Sequence, residues 1–328
     1  MVAIVQGGRL VAVALAVLLG AIAQGAFAQA YPARAVRMVV GFPPGQTTDL
    51  TARHFAEKLG GLFGQNFYVE NRPGAGGILA HEVVKAAAPD GYTLLISSSG
   101  PLAINPSLYK SLPYDPVRDF AAIIRINTSP LYLVVNAATP VRNLAELVAW
   151  TKARPGKTSY GSGGSGTTSH IATEMLKIAS GMDSLHVPFK GSPPMITALL
   201  GGQLDFYLEP APTVVPLAKA GRVRVLAVTF PRRTDVLQEI PTIAEQGFPG
   251  FEATSWSALM APAGTPPAIV QALNKGMNTL LAQPEVSARI LANGSIPTGG
   301  PVAEFEQFIR AEIRRWGEAV KASGATAD

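Results

Sequence analysis

From residue 144 to residue 229, helix-like and strand-like runs alternate without interruption. A helix over 144–154 leads to a strand closing at Tyr160 and a glycine-rich loop. A helix over 171–179, a strand over 185–189, a helix over 195–200, a strand over 204–208, a helix over 213–220 and a strand over 223–229 follow. Strands joined through helices run parallel, and a parallel sheet needs helices on both faces to bury it. The preceding segment obeys the same rule. Residues 36–41 form an apolar strand, and the helix that begins near Thr48 places Ala52, Phe55, Ala56, Leu59, Leu62 and Phe63 on one face. A strand over 67–70, a helix over 78–87 and a strand over 92–97 come next. This alternation predicts an α/β chain.

Between the two series lie apolar runs over 121–126 and 131–136, separated by Asn127-Thr128-Ser129-Pro130, which reads as a turn. The tail has a different character: one strand over 256–261, then helices over 269–281, 285–293 and 302–322. Phe305, Phe308, Ile309, Ile313, Trp316 and Val320 give the last helix a wide apolar stripe of the kind that faces a core. Packed back on the first sheet, these helices would leave the middle of the chain inserted. The expectation is two doubly wound domains with parallel-rich sheets, residues 29–129 plus 253–328 and residues 130–252, joined by a hinge of two crossovers near 127–130 and 251–256. Ligands of such sheets bind beyond the carboxyl ends of the strands. Two facing domains would therefore enclose one cleft.

The amino terminus carries its own message. A lone Arg9, an apolar segment from Leu10 to Ala23 and Ala26-Phe27-Ala28 before Gln29 have the order of an export signal. Residues 1–28 are expected to be that signal, cleaved near Ala28 and Gln29. The apolar segment is shorter than the roughly 20 residues a membrane-spanning helix needs. The chain has no cysteine, so neither a disulfide nor a lipid anchor on a leading cysteine is available. A bacterial periplasm suits this combination, since a domain of this size does not depend on disulfides.

The loop Gly161 to His170, GSGGSGTTSH, is the richest ten residues for function. Glycines let backbone approach a ligand closely, and the first amides of a helix have no intrahelical acceptor, so an anion is favoured there. Three enzyme motifs overlap the same letters. Gly161, Gly163 and Gly166 fit a dinucleotide fingerprint, with Asp183 as its ribose acid, although nicotinamide chemistry is rare outside the cytoplasm. A phosphate-binding loop fails because Thr167 and Thr168 stand where its lysine and hydroxyl residue belong. A nucleophile elbow built on Gly163 and Ser165 fails at Thr167. The loop GFPPGQTTDL, Gly41 to Leu50, also follows a strand and starts a helix, and Ser97-Ser98-Ser99-Gly100 ends another strand. Both offer hydroxyls and amides without concentrated positive charge.

Other signals exclude more than they assign. The formal charge of +5 is scattered, and Arg232-Arg233 and Arg314-Arg315 lack interleaved aromatics, so no nucleic-acid surface is expected. His54, His81, His170 and His186 do not have the paired spacing of a metal site, and no metal or cofactor is expected. Ser107 and Lys110 match S-x-x-K without its companion motifs.

PPGQTTD (Pro43 to Asp49), ENRPGAGG (Glu70 to Gly77), PDGYTLL (Pro89 to Leu95), YDPVRDF (Tyr114 to Phe120), HVPFKG (His186 to Gly191) and APAGTP (Ala261 to Pro266) occur in order over nearly the whole chain. Together they resemble the Bug-type extracytoplasmic solute receptors of tripartite tricarboxylate transport systems. The resemblance implies a monomeric, two-domain protein like the type II periplasmic binding proteins, without enzymatic activity. It would close on a small carboxylate, whether a di- or tricarboxylate, an acidic amino acid or an aromatic acid. Its partners would be the membrane permease subunits of such a transporter or a sensor kinase.

By the same resemblance, Phe42, Gln46, Thr47, Thr48 and Asp49 would form the first wall of the site, with Asp49 organising the loop or its waters. Ser97, Ser98 and Ser99 would add hydroxyls. Gly163, Gly164, Thr167, Thr168, Ser169 and His170 would supply the second wall. Gln46 departs from the family pattern, in which many relatives have glycine, so either the local backbone differs here or a side-chain amide projects into the cleft. Glu209, expected just after the strand over 204–208, would reach the distal end of the ligand and repel a second carboxylate unless protonated or bridged by water. The alternative from another class is an exported hydrolase that pairs a serine of the glycine loop with His170.

Overall fold

Strand β4 (Phe120–Asn136) is a single extended segment of 17 residues, and it organises everything around the site. Residues 31–327 are described by a computed structural model. The expected export signal and its cleavage point lie outside the described residues. Up to Pro130, β4 pairs antiparallel with β9 (Thr254–Pro262), and from Leu131 it pairs with β7 (Phe206–Pro210) and β8 (Val223–Val228). A single residue step thus hands the strand from one sheet to another. The turn expected at residues 127–130 is absent because Asn127, Thr128, Ser129 and Pro130 all have partners on β9. Proline is tolerated where its missing N–H falls at a change of partner.

Thr229 closes this junction. Its N–H donates to Leu131 O at 2.9 Å, its hydroxyl accepts from Leu131 N–H at 2.9 Å and donates to Ala253 O, and its carbonyl accepts from Ala253 N–H at 3.1 Å. Both chain crossings between the sheets, at residues 130–131 and 253–254, are pinned by this one side chain and its backbone.

On the first side of β4, the sheet runs β2 (Phe67–Asn71), β1 (Val36–Val40), β3 (Thr93–Ser98), β9, β4, with the short β10 (Ile296–Pro297) on β4. β1 is parallel to β2 and β3, whereas β9 is antiparallel to β3. On the other side, β5 (Ser159–Ser162) lies parallel between β7 and β6 (Leu185–Pro188). The doubly wound, parallel-rich expectation holds for the outer strands, and the antiparallel centre comes from the two strands that cross between sheets.

Helices α1 (Thr47–Phe63) and α2 (Ile78–Lys85) follow the expected apolar periodicity, the short α3 (Asn105–Leu108) is an addition, and α4 (Leu144–Lys152) follows the periodicity again. So do α5 (Thr168–Ser180), α6 (Ser192–Leu200), α7 (Ala211–Lys219), α8 (Pro267–Leu281), α9 (Pro284–Ala292) and α10 (Val302–Ser323). Among the described residues no helix is long and apolar enough to cross a membrane. A π-helical turn, Gly100–Ile104, links β3 to α3.

The stripe of α10 is core-facing: Phe305, Ile309, Trp316 and Val320 are buried. Glu312 is buried with them and accepts from the indoles of Trp256 at 2.7 Å and Trp316 at 3.1 Å. α10 packs on the π-helical turn, on α3 and on β4, but also on α5, so it reaches the second sheet as well as the first.

Candidate ligand-binding site

Two helix starts meet head to head where the parallel strands end. β1 runs through Gly41 to Gln46 into α1, and β5 runs through the glycine loop into α5. Gln46 and Thr167 are the residues before the two helices, both with extended backbone, and neither side chain caps its helix. Thr167 instead donates its hydroxyl to Gly164 O at 2.7 Å, which folds the glycine loop on itself. The first-turn amides of both helices therefore point outward without intrahelical acceptors. Each helix start also carries about half a positive charge from its aligned peptide dipoles.

These amides face a buried cavity of about 30 Å³. Phe42, Gln46, Thr47 and Thr48 form one wall, and Thr167, Thr168 and Ser169 the opposite one. Ser98, Ser255, Glu209 and Pro210 complete it. No lysine or arginine lies on the wall. The field that would hold an anion here comes from backbone and hydroxyl dipoles, which suits a carboxylate and needs no guanidinium clamp.

Of the remaining expected residues, Asp49 is buried behind the first wall. Its carboxylate accepts from Gly45 N–H at 2.9 Å and from the Asn71 amide at 2.8 Å, and it pairs with Arg53 at 3.0 Å. It shapes the loop and does not line the cavity. Ser97 binds His81 Nε2 at 2.9 Å within the core. Ser99 is fully buried and meets Thr168 and Ser255 through its hydroxyl. Gly163 and Gly164 line a separate cleft of about 660 Å³, which shares Phe42 with the small cavity and continues along Pro43, Phe189 and the exposed Lys190.

His170 turns away from the cavity. Its ring stacks on His186 at 4.0 Å, and its Nδ1 accepts from Gly166 N–H at 3.4 Å. Among the described residues no serine hydroxyl reaches His170. Ser162 bonds to His186 instead, at 2.7 Å, and burial together with His170 and Lys177 depresses His186 to about 3. A base that weak does not activate a serine, and the hydrolase reading falls. The dinucleotide reading falls as well. Gly161 belongs to β5, where a Cβ would meet Leu204 at 2.4 Å, so that glycine makes room for packing. Asp183 accepts from Gly156 N–H in an exposed turn.

Gln46 lies on the cavity wall. Its backbone is extended and open to any residue, and its side chain comes near Gly163 and Gly191, which line the larger cleft. Glu209 lies inside β7, opposite Tyr132, and not beyond the strand end. It is buried, and its two carboxylate oxygens accept from Ser169, at 2.6 Å, and from Ser192. Burial pushes its carboxyl up to about 7, against the two serine hydroxyls that favour the anion. Ser255, Pro210 and Ser192 were not foreseen. Ser255 sits in the second crossing, and no local motif marks it.

The family model described as the tripartite tricarboxylate transporter family receptor matches residues 51–325. Protein BugT of Bordetella pertussis is 38% identical over 299 residues, which span 91% of this chain and 92% of that protein. Among solved structures, R. palustris Rpa4515 with adipate superposes with a TM-score of 0.88 at 37% identity, covering 90% of this chain and 99% of the other. MatC from Rhodopseudomonas palustris with bound malate gives 0.85 at 31% identity, covering 88% and 100%.

Proposed function

We propose, from the premise that this chain belongs to the tripartite tricarboxylate transporter receptor family, that it captures a small organic carboxylate between the starts of α1 and α5. Members of that family are solute receptors and not enzymes. The observation that carries the reading is the pair of uncapped helix starts facing one buried cavity that has no cation on its wall. The adipate and malate complexes of similar proteins support a carboxylate as the ligand class.

In this reading one carboxylate end takes the amides of Thr47, Thr48, Thr168 and Ser169 and the hydroxyls around them. The body of the ligand extends past Phe42 toward the larger cleft. Capture draws together two domains, residues 29–129 with 253–328 and residues 130–252, about the crossings that Thr229 pins. The exported protein acts in the periplasm as a monomer and presents its loaded form to permease subunits or to a sensor kinase.

The test is a melting-temperature screen against straight-chain dicarboxylates, hydroxydicarboxylates, acidic amino acids and aromatic acids, with calorimetry on each hit. A bound ligand raises stability by RT ln(1 + [L]/Kd). The expected result is stabilisation by at least one acid, weakened in Thr168→Val, with no product formed. Stabilisation by neutral or cationic solutes alone would overturn the reading.

A further inference from the structure

A second cavity, of about 400 Å³, lies on a different face of α1 from the helix start that forms the carboxylate cradle. Its wall brings together α1, the middle of β4, α7 and the end of α9, and so combines elements of both sheets. Phe55, Pro212, Pro216 and Ile290 supply apolar surface.

Two polar side chains of this wall, Asn127 and His54, hold buried atoms without partners, whereas Thr51, Arg53 and Ser295 are hydrogen-bonded. Asn127 is 4% exposed, and its Oδ1 has no hydrogen-bond partner. Both ring nitrogens of His54 are buried without partners, although a neutral imidazole has one donor and one acceptor to place. A buried polar atom left unpaired costs about 1–3 kcal/mol. Three such atoms on one cavity wall therefore point to a ligand.

The charges fix its sign. Arg53 is committed to Asp49 at 3.0 Å and to Asn71, and Lys58 lies 3.7 Å from Glu285. The Arg289 guanidinium, also on the wall, has no ion pair or hydrogen bond among the described residues. Burial comes first, then the positive charges of Arg289 and Lys58, in lowering the His54 pKa, with Glu57 opposing them. Against Arg53 and Arg289 the wall carries one acid, Glu57, so its lining has one positive charge in excess.

We propose that this cavity is a second binding site, distinct from the carboxylate cradle, for a small organic anion with a compact apolar body and a hydrogen-bond donor. Its carboxylate pairs with Arg289 and accepts from the His54 N–H, its body packs between Phe55 and Pro216, and its hydroxyl donates to Asn127 Oδ1.

The probe is 4-hydroxybenzoate, read by calorimetry and by the imidazole resonances of His54, assigned with His54→Gln. Added probe is expected to shift the His54 signals and to raise the His54 pKa, because a bound anion offsets the repulsion from Arg289 and Lys58. Arg289→Ala is expected to weaken binding roughly tenfold, a loss of about 1.4 kcal/mol. Arg289→Lys should lie between, Thr168→Val should leave the His54 response intact, and the uncharged 4-hydroxybenzamide should give none. The site is refuted if the His54 signals stay fixed at saturating probe, or if Thr168→Val removes the response and Arg289→Ala does not. Because the cradle variant and the Arg289 variants are read separately, failure of either site leaves the other standing.

Discussion

The hydroxyls of Ser99 and Thr168 lie 2.6 Å apart although 69 residues separate them in the chain. Ser99 follows β3 of the first sheet, and Thr168 opens α5 beside the second, so this contact joins the two walls of the cradle. Ser255 Oγ, 3.2 Å from Ser99, extends the chain to the second crossing. Thr168 also lines the cavity, whereas Ser99 is sealed behind it. Ser99→Ala and Thr168→Val are each expected to cost about 1 kcal/mol of stability. The double variant should cost less than their sum, by roughly 0.5 kcal/mol or more, because both remove one shared contact. Only Thr168→Val should also weaken carboxylate affinity markedly. Denaturant melts and calorimetry read both quantities, and strict additivity would show that the contact carries no coupling.

Glu209 gives the site a proton to exchange. Its folded pKa, about 7, lies above the ordinary 4.5 because the carboxylate is buried. The native state therefore holds a proton that the unfolded chain has released between these values, and this contribution to stability is full below 4.5 and lost as pH rises through 7. Glu209→Gln, which keeps the shape and removes the ionisation, should gain on the wild type as pH increases across that window, by on the order of 3 kcal/mol at the alkaline end. A captured carboxylate nearby would raise the Glu209 pKa further, so binding near neutral pH should take up protons. Calorimetry in buffers of different ionisation enthalpy measures that uptake, which should vanish in the glutamine variant. A wild-type uptake of zero, with a pH-independent stability difference, would remove Glu209 from the binding reaction.

Much of this arrangement was legible from the chain because its causes are local. The apolar run of β1, the periodicity of α1 and the turn chemistry between them place Gln46, Thr47 and Thr48 at a strand-to-helix corner, and the glycine loop does the same for Thr167 and Thr168. The features that escaped have non-local causes. Asn127 to Pro130 carries turn residues, yet it is held extended because β9 returns more than a hundred positions later to pair with it. Glu209 sits within β7 because the strand begins at Phe206 and not at Leu204, whose side chain is drawn under Gly161. Ser192 and Ser255 act only through partners brought together by the sheet crossings.

Gly100 tests how closely the two walls must approach. Its φ is not in the left-handed region, so alanine carries no backbone penalty, but a Cβ there would stand 2.7 Å from Gly166 O and 3.4 Å from Thr167 Cα. The glycine loop would have to retreat by several tenths of an ångström, and Thr167 and Thr168 with it. Gly100→Ala is expected to cost about 1–3 kcal/mol as an overpacking change, and to lower carboxylate affinity more than Ser99→Ala does. Gly61, where a Cβ meets nothing within 4 Å, is the control. Gly61→Ala should leave affinity unchanged, and equal affinities for the two alanine variants would show that close approach at Gly100 is not needed.

Acid should unfold this protein steeply, and the ring stack beneath the glycine loop is one cause. His81 and His170 are held near 4 and His186 near 3, against 6.5 when unfolded, chiefly because all three rings are buried. The groups that face the His170 and His186 stack are Glu174, which favours the cation at His170, and Lys177, which opposes it at both rings. As pH falls below 6.5 the unfolded chain takes up three protons at these rings that the native state refuses, and His54 adds in the same direction. The stability these neutral rings contribute is full above 6.5 and lost as pH drops through 4. Each proton is worth about 1.4 kcal/mol per pH unit, and Glu209 offsets one of the three above 4.5, so these four groups together contribute a slope of up to roughly 2.7 kcal/mol per unit between 6 and 5. His186→Gln keeps a donor for the Ser162 hydroxyl and abolishes one titration, so its slope should fall by up to about 1.4 kcal/mol per unit. Urea midpoints measured at half-unit steps of pH give both slopes, and coincident slopes would place the acid sensitivity elsewhere in the fold.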